Sequence, residues 1–216
     1  MQPEELSALF NHYLNEMAEI ALKHGGTIDK FIGDAVMVFF GDPASKGVQE
    51  DALACVQMAI AMRTRMEELR GEWNTKGIAS PLHIRIGINT GHCTVGNFGS
   101  ENRLDYTIIG GHVNLASRLE TNAEPDQILI SHRTYTLIKD KIACEKREEF
   151  QVKGIAHPVQ TYQIVDKIQD GEESSSPWTN EGRGYAISVN MKQLSPEDKP
   201  RLQTILQQAI EALKPN

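Results

Sequence analysis

Two charged residues interrupt an apolar stretch near the start of the chain. Lys30 and Asp34 lie within GTIDKFIGDAVMVFF, residues 26–40, between two short apolar runs. Gly33-Asp34 joins the runs, and both residue types readily form the tight turn of a hairpin. A carboxylate on such a turn projects from a rigid support, and hard cations prefer oxygen ligands of this kind. Taken alone, the pair is typical of an ordinary turn aspartate and a solvated strand lysine.

A second group of polar residues follows later in the chain. Asn114 and Arg118 are four residues apart, so a helix places them on one face. A guanidinium fork fits a phosphoryl group and can stabilise charge that develops there. In isolation, the pattern is equally that of a polar helix face with Glu120 as an ion-pair partner. Arg85, on the polar side of an alternating strand, and Lys153, before a glycine, are two further candidate cations.

The elements that must position these residues alternate between helices and strands. The pattern predicts a helix ending at the Gly25-Gly26 pair, a hairpin with strands 27–32 and 35–40, a helix over roughly 48–70, strands within 82–91, 93–99 and 104–110, a helix within 112–123, a strand at 127–131, a short helix within 132–141, and strands near 146–152 and 158–165. This order indicates an α+β fold with helices packed on a mixed or antiparallel sheet.

The last fifty residues differ in composition. Residues 166–181 are acidic, rich in serine and nearly free of aliphatic side chains, which predicts a linker. Residues 182–216 are predicted to form a strand and then an amphipathic helix, with capping residues near Ser195. We therefore expect a main domain over 1–165, a linker over 166–181 and a C-terminal extension over 182–216.

Composition excludes several classes of protein. The net charge of −7 over 216 residues gives no general basis for binding nucleic acid or an anionic membrane. The three cysteines are far apart and lack the spacing of a zinc site or a disulfide framework, which suits a reducing compartment. The sequence shows neither a membrane span nor a signal-peptide pattern. We expect a cytoplasmic protein, whose full-length form could still be attached to a membrane through upstream segments.

Four segments of the chain together resemble one known family. GTIDKFIGDAVMVFFG, LHIRIGINTGHCTVGNFGS, DYTIIGGHVNLASRLE and FQVKGIAHPVQTYQIV are similar, in this order, to segments of the class III nucleotide cyclase catalytic domain. The resemblance covers about residues 4–165. It implies a ferredoxin-like fold that acts as a homodimer. It also implies conversion of a nucleoside triphosphate to the 3′,5′-cyclic monophosphate and pyrophosphate, in signal transduction.

The resemblance assigns a role to each candidate residue. Asp34 matches one of the two metal-bridging aspartates, which hold two Mg²⁺ or Mn²⁺ ions per active site. Lys30 and Thr107 match the adenine-reading positions of the bacterial adenylyl cyclases, so ATP is the expected substrate. Asn114 matches the position that orients the ribose, and Arg118 matches the position that stabilises the charge on the α-phosphate. Arg85 and Lys153 match positions that contact the leaving pyrophosphate.

The family builds each active site from two subunits. In its members the metals are held by one subunit, while the base and transition-state residues come from the other. Lys30, Thr107, Asn114 and Arg118 are therefore expected to complete the partner's site, which gives two shared sites per homodimer.

The chain departs from the family pattern in two places. Gly111 stands where the family often has aspartate, and glycine there lets the backbone approach a phosphate closely. The second metal aspartate belongs to a motif like FSDIRGFT, upstream of the first helix, which this sequence does not contain. Asp29 alternates to the wrong face of its strand to replace it, and Asp42 lies at the far end. We expect an N-terminally truncated cyclase domain that is weak or inactive alone, with a sensor or transducer domain upstream in its parent protein.

Two alternatives remain open from the sequence. One is a non-catalytic, cyclase-like module that dimerises or binds nucleotide without turning it over. The other is a guanylyl cyclase, against which Lys30 argues, because guanine-specific relatives typically have glutamate at this position.

Overall fold

The chain divides into two compact units, Met1–Ile168 and Gln169–Asn216. The computed structural model describes residues 3–75, 77–78, 82–149, 151, 158–168, 178–182, 185–189, 201–202 and 206–207. The first unit contains α1 (Pro3–Lys23), β1 (Thr27–Ile32), β2 (Ala35–Phe39), α2 (Val48–Thr75), β3 (Ile86–Ile88), β4 (Thr94–Ser100), β5 (Arg103–Ile109), α3 (Gly111–Asn122), β6 (Ile128–Ser131), α4 (His132–Ile138), β7 (Ile142–Lys146) and β8 (Thr161–Ile168). The predicted α+β fold is confirmed.

A mixed four-stranded sheet forms the centre of the first unit. Its strand order is β3-β6-β8-β7. β3 and β6 run parallel, whereas β8 is antiparallel to both of its neighbours. Two hairpins, β1-β2 and β4-β5, pair internally as separate two-stranded sheets. Each of these hairpins carries one of the residues predicted to contact the base.

The long helix α2 separates two apolar clusters. On one side, Ala52 and Val56 pack with strand residues such as Ile130 of the four-stranded sheet. On the other side, methionines of α2, including fully buried Met66, pack with α1 through Met17. Burial on both sides provides hydrophobic stabilisation along most of the length of α2. The core therefore holds α1 and α2 in place beneath the β1-β2 hairpin, whose inward side chains contact the same cluster.

Several observed elements differ in extent from their predicted spans, and three of them have a clear physical reason. α2 continues to Thr75 instead of ending near residue 70, because Trp73 is buried against α1. β3 covers only Ile86–Ile88 of the predicted 82–91, since its ladder to β6 spans three residue pairs. β7 covers Ile142–Lys146 and shares only Lys146 with the predicted 146–152, because the buried Ile142 side chain draws the preceding residues into the core.

The second unit is described in part. β9 (Trp178–Gly182) pairs antiparallel with β10 (Tyr185–Val189), and β10 lies where a strand of the extension was predicted. Residues 201–202 and 206–207 are helical, and Leu202 and Leu206 are half-buried there. The segment predicted as a linker, 166–181, overlaps the end of β8 and most of β9. The predicted domain boundaries at residues 165 and 181 stay predictions. Within the described part of the chain, no helix is long and apolar enough to cross a bilayer.

Candidate active site

Lys30 and Thr107 both contact the same oxygen of one buried carboxylate, that of Asp29. The Thr107 hydroxyl donates a hydrogen bond of 2.8 Å to Oδ2 of Asp29. The Lys30 ammonium lies 3.4 Å from the same oxygen. The Asp29 side chain is 0% exposed, whereas the Lys30 side chain is 43% exposed. The structure thus brings together the two residues predicted to read the base, which are 77 positions apart in sequence and lie on different hairpins.

A β-bulge in β1 explains how the side chains of two adjacent residues, Asp29 and Lys30, come into contact with each other. The register runs from the pair Ile28 and Val38 directly to the pair Lys30 and Met37, which leaves Asp29 without a partner on β2. In a regular strand, successive side chains point to opposite faces, but a bulge re-aims one of them. Regular alternation was expected to turn Asp29 to the wrong face of its strand, and the bulge interrupts that alternation at Asp29.

Asp29 therefore contacts both predicted base-reading residues, a contact that the sequence did not lead us to expect. Its Oδ1 atom is buried and has no hydrogen-bond partner among the described residues. The available signal was the adjacent charged pair Asp29-Lys30 inside an otherwise apolar strand. Buried carboxylates are costly unless they are paired and hydrogen-bonded, so a position of this kind requires a specific explanation.

Asp34 lies at the exposed turn of the β1-β2 hairpin. Gly33 precedes it with φ of 61°, the positive value that the first turn position of a type II′ hairpin requires. The Tyr13 hydroxyl of α1 donates to the main-chain carbonyl of Asp34 at 3.3 Å. The predicted metal ligand therefore projects from a hairpin whose tip is tied to the first helix.

The described residues do not form a complete metal site around Asp34. Among them, no group of three or more His, Cys, Asp and Glu side chains is arranged to hold an ion. Asp42, at the far end of the hairpin, accepts a hydrogen bond from the Tyr106 hydroxyl. A hard cation such as Mg²⁺ is usually bound through one or two carboxylates together with substrate phosphates. Asp34 fits as one such ligand and is not sufficient by itself.

Asn114 and Arg118 are both exposed on one face of α3, as their spacing predicts. Leu115 and Leu119 on the opposite face are buried and fix the helix on the sheet. The packing is close at Gly87 of β3, where an added Cβ atom would lie 2.2 Å from backbone atoms of α3. The helix that carries the two predicted catalytic residues is thus positioned by contact with the central sheet.

Arg85 contacts the same helix from the end of β3. Its guanidinium lies 3.1 Å from the Glu120 carboxylate, and both side chains are partly exposed. Glu120 therefore pairs with Arg85, which differs from the ion pair with Arg118 considered from the sequence. Arg118 itself makes no ion pair with any residue that the structure describes. Lys153 lies outside the described residues.

This arrangement defines the class of the domain. Helices packed on a mixed sheet, with two additional hairpins, form the α+β architecture shared by the cyclase catalytic domains among its structural neighbours. The chain belongs to the adenylate and guanylate cyclase catalytic domain family, whose profile matches residues 1–166. The predicted resemblance is confirmed.

Solved structures and curated proteins agree with this assignment. The adenylyl cyclase CyaB from P. aeruginosa is 60% identical, with a TM-score of 0.77 over 79% of this chain and 87% of that chain. The guanylyl cyclase Cya2 is 36% identical, with a TM-score of 0.73 over 80% of this chain and 86% of that chain. Adenylate cyclase 1 of Rhizobium meliloti is 31% identical over 77% of this chain, and the match spans 25% of that protein. The chain thus corresponds to one part of this longer relative.

Proposed function

We propose that this chain is the catalytic domain of an adenylyl cyclase, which converts ATP to 3′,5′-cyclic AMP and pyrophosphate. In the reaction, the ribose 3′-hydroxyl attacks the α-phosphorus and the pyrophosphate leaves. The observation that carries this choice of substrate is the convergence of Lys30 and Thr107 on one buried carboxylate. The two residues are held as a unit, as a base-reading pair requires.

Adenine is the purine that suits Lys30. Its ring nitrogen N1 is a hydrogen-bond acceptor, and an ammonium is a donor only. Guanine presents an N1–H donor at the same position, which leaves the ammonium without a partner. The higher identity to an adenylyl cyclase, 60%, than to a guanylyl cyclase, 36%, supports the same choice.

Transition-state stabilisation is assigned to the exposed face of α3. The guanidinium of Arg118, which has no ion-pair partner among the described residues, is available to a phosphoryl group, and Asn114 can hydrogen-bond the ribose on the same face. Arg85 and Lys153 would contact the pyrophosphate. Because the domain is proposed to act as a homodimer, these residues and the base-reading pair serve the site of the partner subunit.

Divalent cations are part of the proposal, with Asp34 as one ligand. Mg²⁺ or Mn²⁺ would neutralise triphosphate charge and make the 3′-hydroxyl more acidic. The described residues supply a single suitable carboxylate, so no step of the reaction is assigned to an ion that they hold alone.

A product assay tests the proposal. The full-length gene product and the 216-residue chain are each incubated with Mg²⁺ or Mn²⁺ and either ATP or GTP, and cyclic AMP and cyclic GMP are measured by mass spectrometry. We expect cyclic AMP from the full-length protein, and little from the chain alone. Cyclic GMP as the main product would identify a guanylyl cyclase. Efficient turnover by the chain alone would overturn the argument that an upstream strand and its aspartate are needed.

A non-catalytic nucleotide-binding module is the second candidate. The observation in its favour is the lack of a complete metal-ligand group among the described residues. Binding of ATP without turnover, even after a strand with the FSDIRGFT-type motif is placed upstream, would establish this alternative.

A further inference from the structure

We propose that Asp29 determines purine specificity by fixing the direction of the Thr107 hydroxyl, so that Thr107 accepts a hydrogen bond from the base. Asp29 is a positioning residue here, because it acts on the substrate through Thr107. The inference rests on the proposed adenylyl cyclase function and deepens it.

The hydrogen-bond inventory of the three side chains leads to this conclusion. A carboxylate can only accept hydrogen bonds, whereas a threonine hydroxyl has one proton to donate and two lone pairs. The 2.8 Å bond to Asp29 Oδ2 uses the one proton of Thr107. The hydroxyl therefore offers only lone pairs to any other group. Without Asp29, the same hydroxyl could rotate and either donate or accept.

The resulting pair of polar groups matches one edge of adenine. Lys30 presents a donor and Thr107 presents an acceptor. Adenine carries an acceptor at N1 and an amino donor at the six-position, which complements both. Guanine and hypoxanthine carry an N1–H donor and a carbonyl acceptor at the six-position, so both contacts would be mismatched. A site that leaves buried polar groups unpaired against the wrong ligand discriminates strongly.

Burial argues against a purely structural role for Asp29. The side chain is 0% exposed, its Oδ1 atom has no donor among the described residues, and its charge is faced by a lysine that is itself 43% exposed. Replacing a buried, incompletely paired carboxylate with an apolar side chain is often neutral or stabilising. An apolar side chain at position 29 could pack β1 against β5 without the desolvation penalty of a buried carboxylate. It could not, however, orient the Thr107 hydroxyl.

The test compares four forms of the full-length protein: wild type, Asp29→Asn, Thr107→Val and the double variant. The readout is the ratio of kcat/KM for ATP to that for GTP, with ITP as a third substrate that lacks the 2-amino group. We expect Asp29→Asn to lower the ATP preference about tenfold or more, since the asparagine amide can donate to Thr107 and turn its proton toward the base. In the Thr107→Val background, Asp29→Asn should add nothing further.

Each outcome bears on the proposal. If Asp29→Asn has the same ATP-to-GTP ratio of kcat/KM as wild type, the proposal is overturned. It is also overturned if Asp29→Asn lowers this ratio equally in the wild-type and the Thr107→Val backgrounds, because Asp29 would then act independently of the hydroxyl. A wild-type protein that prefers GTP overturns the proposed function as well, so the two failures are distinguishable. Equilibrium binding of fluorescent ATP and GTP derivatives gives the ratio of the two affinities without turnover, and Asp29→Asn should lower this ratio as well. If Asp29→Asn does not fold, Asp29→Ser, whose hydroxyl can also donate to Thr107, takes its place.

Discussion

The Tyr13 hydroxyl donates a hydrogen bond to the main-chain carbonyl of Asp34, with 3.3 Å between the two oxygens. This bond joins the first helix to the tip of the hairpin that carries the predicted metal ligand. Burial, together with the nearby Asp34 carboxylate, raises the pKa of Tyr13 to about 12. The phenol therefore stays protonated and remains a donor throughout the neutral range.

Tyr13 should make the stability of the domain sensitive to alkaline pH. Its folded-state pKa of about 12 exceeds the ordinary value of 10.0, so the native state keeps a proton that the unfolded state releases between these values. Below pH 10, Tyr13 makes its full contribution to the free energy of unfolding, and this contribution decreases as the pH rises toward 12. Full loss corresponds to about 2–3 kcal/mol. Urea unfolding at several pH values should show that Tyr13→Phe loses this part of the alkaline dependence.

A comparison with Asp34→Asn separates the two causes. Removing the carboxylate leaves burial in place, so Asp34→Asn should reduce the alkaline dependence only in part, because burial is the larger cause. An alkaline profile of Tyr13→Phe identical to that of wild type would show that Tyr13 titrates normally in the folded state.

Elements with strong periodicity were predictable from the sequence. The apolar spacing of α1 places Met17 on the inward face of that helix, and Met17 is buried. The boundaries of α2 and β7 were predicted less well, because tertiary burial of Trp73 and Ile142 extends those elements beyond their local signals. Local patterns report which face is apolar, whereas the partner that covers it decides where an element ends.

The contacts among Lys30, Asp29 and Thr107 show a limit of a different kind. Lys30 and Thr107 could be proposed one by one from matched positions, but not Asp29, because its orientation depends on a bulge. A bulge is a property of two paired strands, and the sequence of one strand does not fix it. The pairing of Glu120 with Arg85 is also a tertiary contact, which helix spacing alone does not contain.

Reversal of charge at Lys30 should reduce the use of ATP. Lys30→Glu removes the donor proposed for adenine N1 and places a second carboxylate beside buried Asp29. We expect kcat/KM for ATP to fall roughly 10- to 100-fold in the full-length protein, the range for a hydrogen bond to a charged group. Lys146→Glu, an exposed lysine on β7, makes the same charge change and should have little effect. Unchanged ATP preference in Lys30→Glu would show that the base pocket lies elsewhere.

Loss of Arg118 should affect catalysis far more than folding. Its side chain is exposed and has no ion-pair partner among the described residues, so Arg118→Ala should leave the melting temperature nearly unchanged. Removing a preorganised donor to the reacting group typically lowers kcat by about 10²–10³. Arg133→Ala on α4 is the matched control, because Arg133 is also an exposed helical arginine. Equal activity of the two variants would exclude Arg118 from the transition state.

Gly87 should be the glycine on which the placement of α3 depends. A Cβ atom at this position would lie 2.2 Å from the Ala116 carbonyl oxygen and 2.2 Å from the Glu120 amide nitrogen, and neither backbone atom can move without the helix. Gly87→Ala should therefore destabilise the domain by about 3 kcal/mol and lower Tm by roughly 5–10 °C. It should also displace the face that carries Asn114 and Arg118.

Gly111→Ala provides the contrast at the start of the same helix. A Cβ atom there would meet no atom within 4 Å, so the Tm should change by at most about 2 °C. Differential scanning calorimetry of the two variants measures the difference directly. Cyclic AMP formation by the full-length protein then shows whether the position of α3 matters for turnover: Gly87→Ala should lose most activity even below its Tm. If Gly87→Ala is as stable and active as wild type, the close approach of β3 and α3 does not hold the site together.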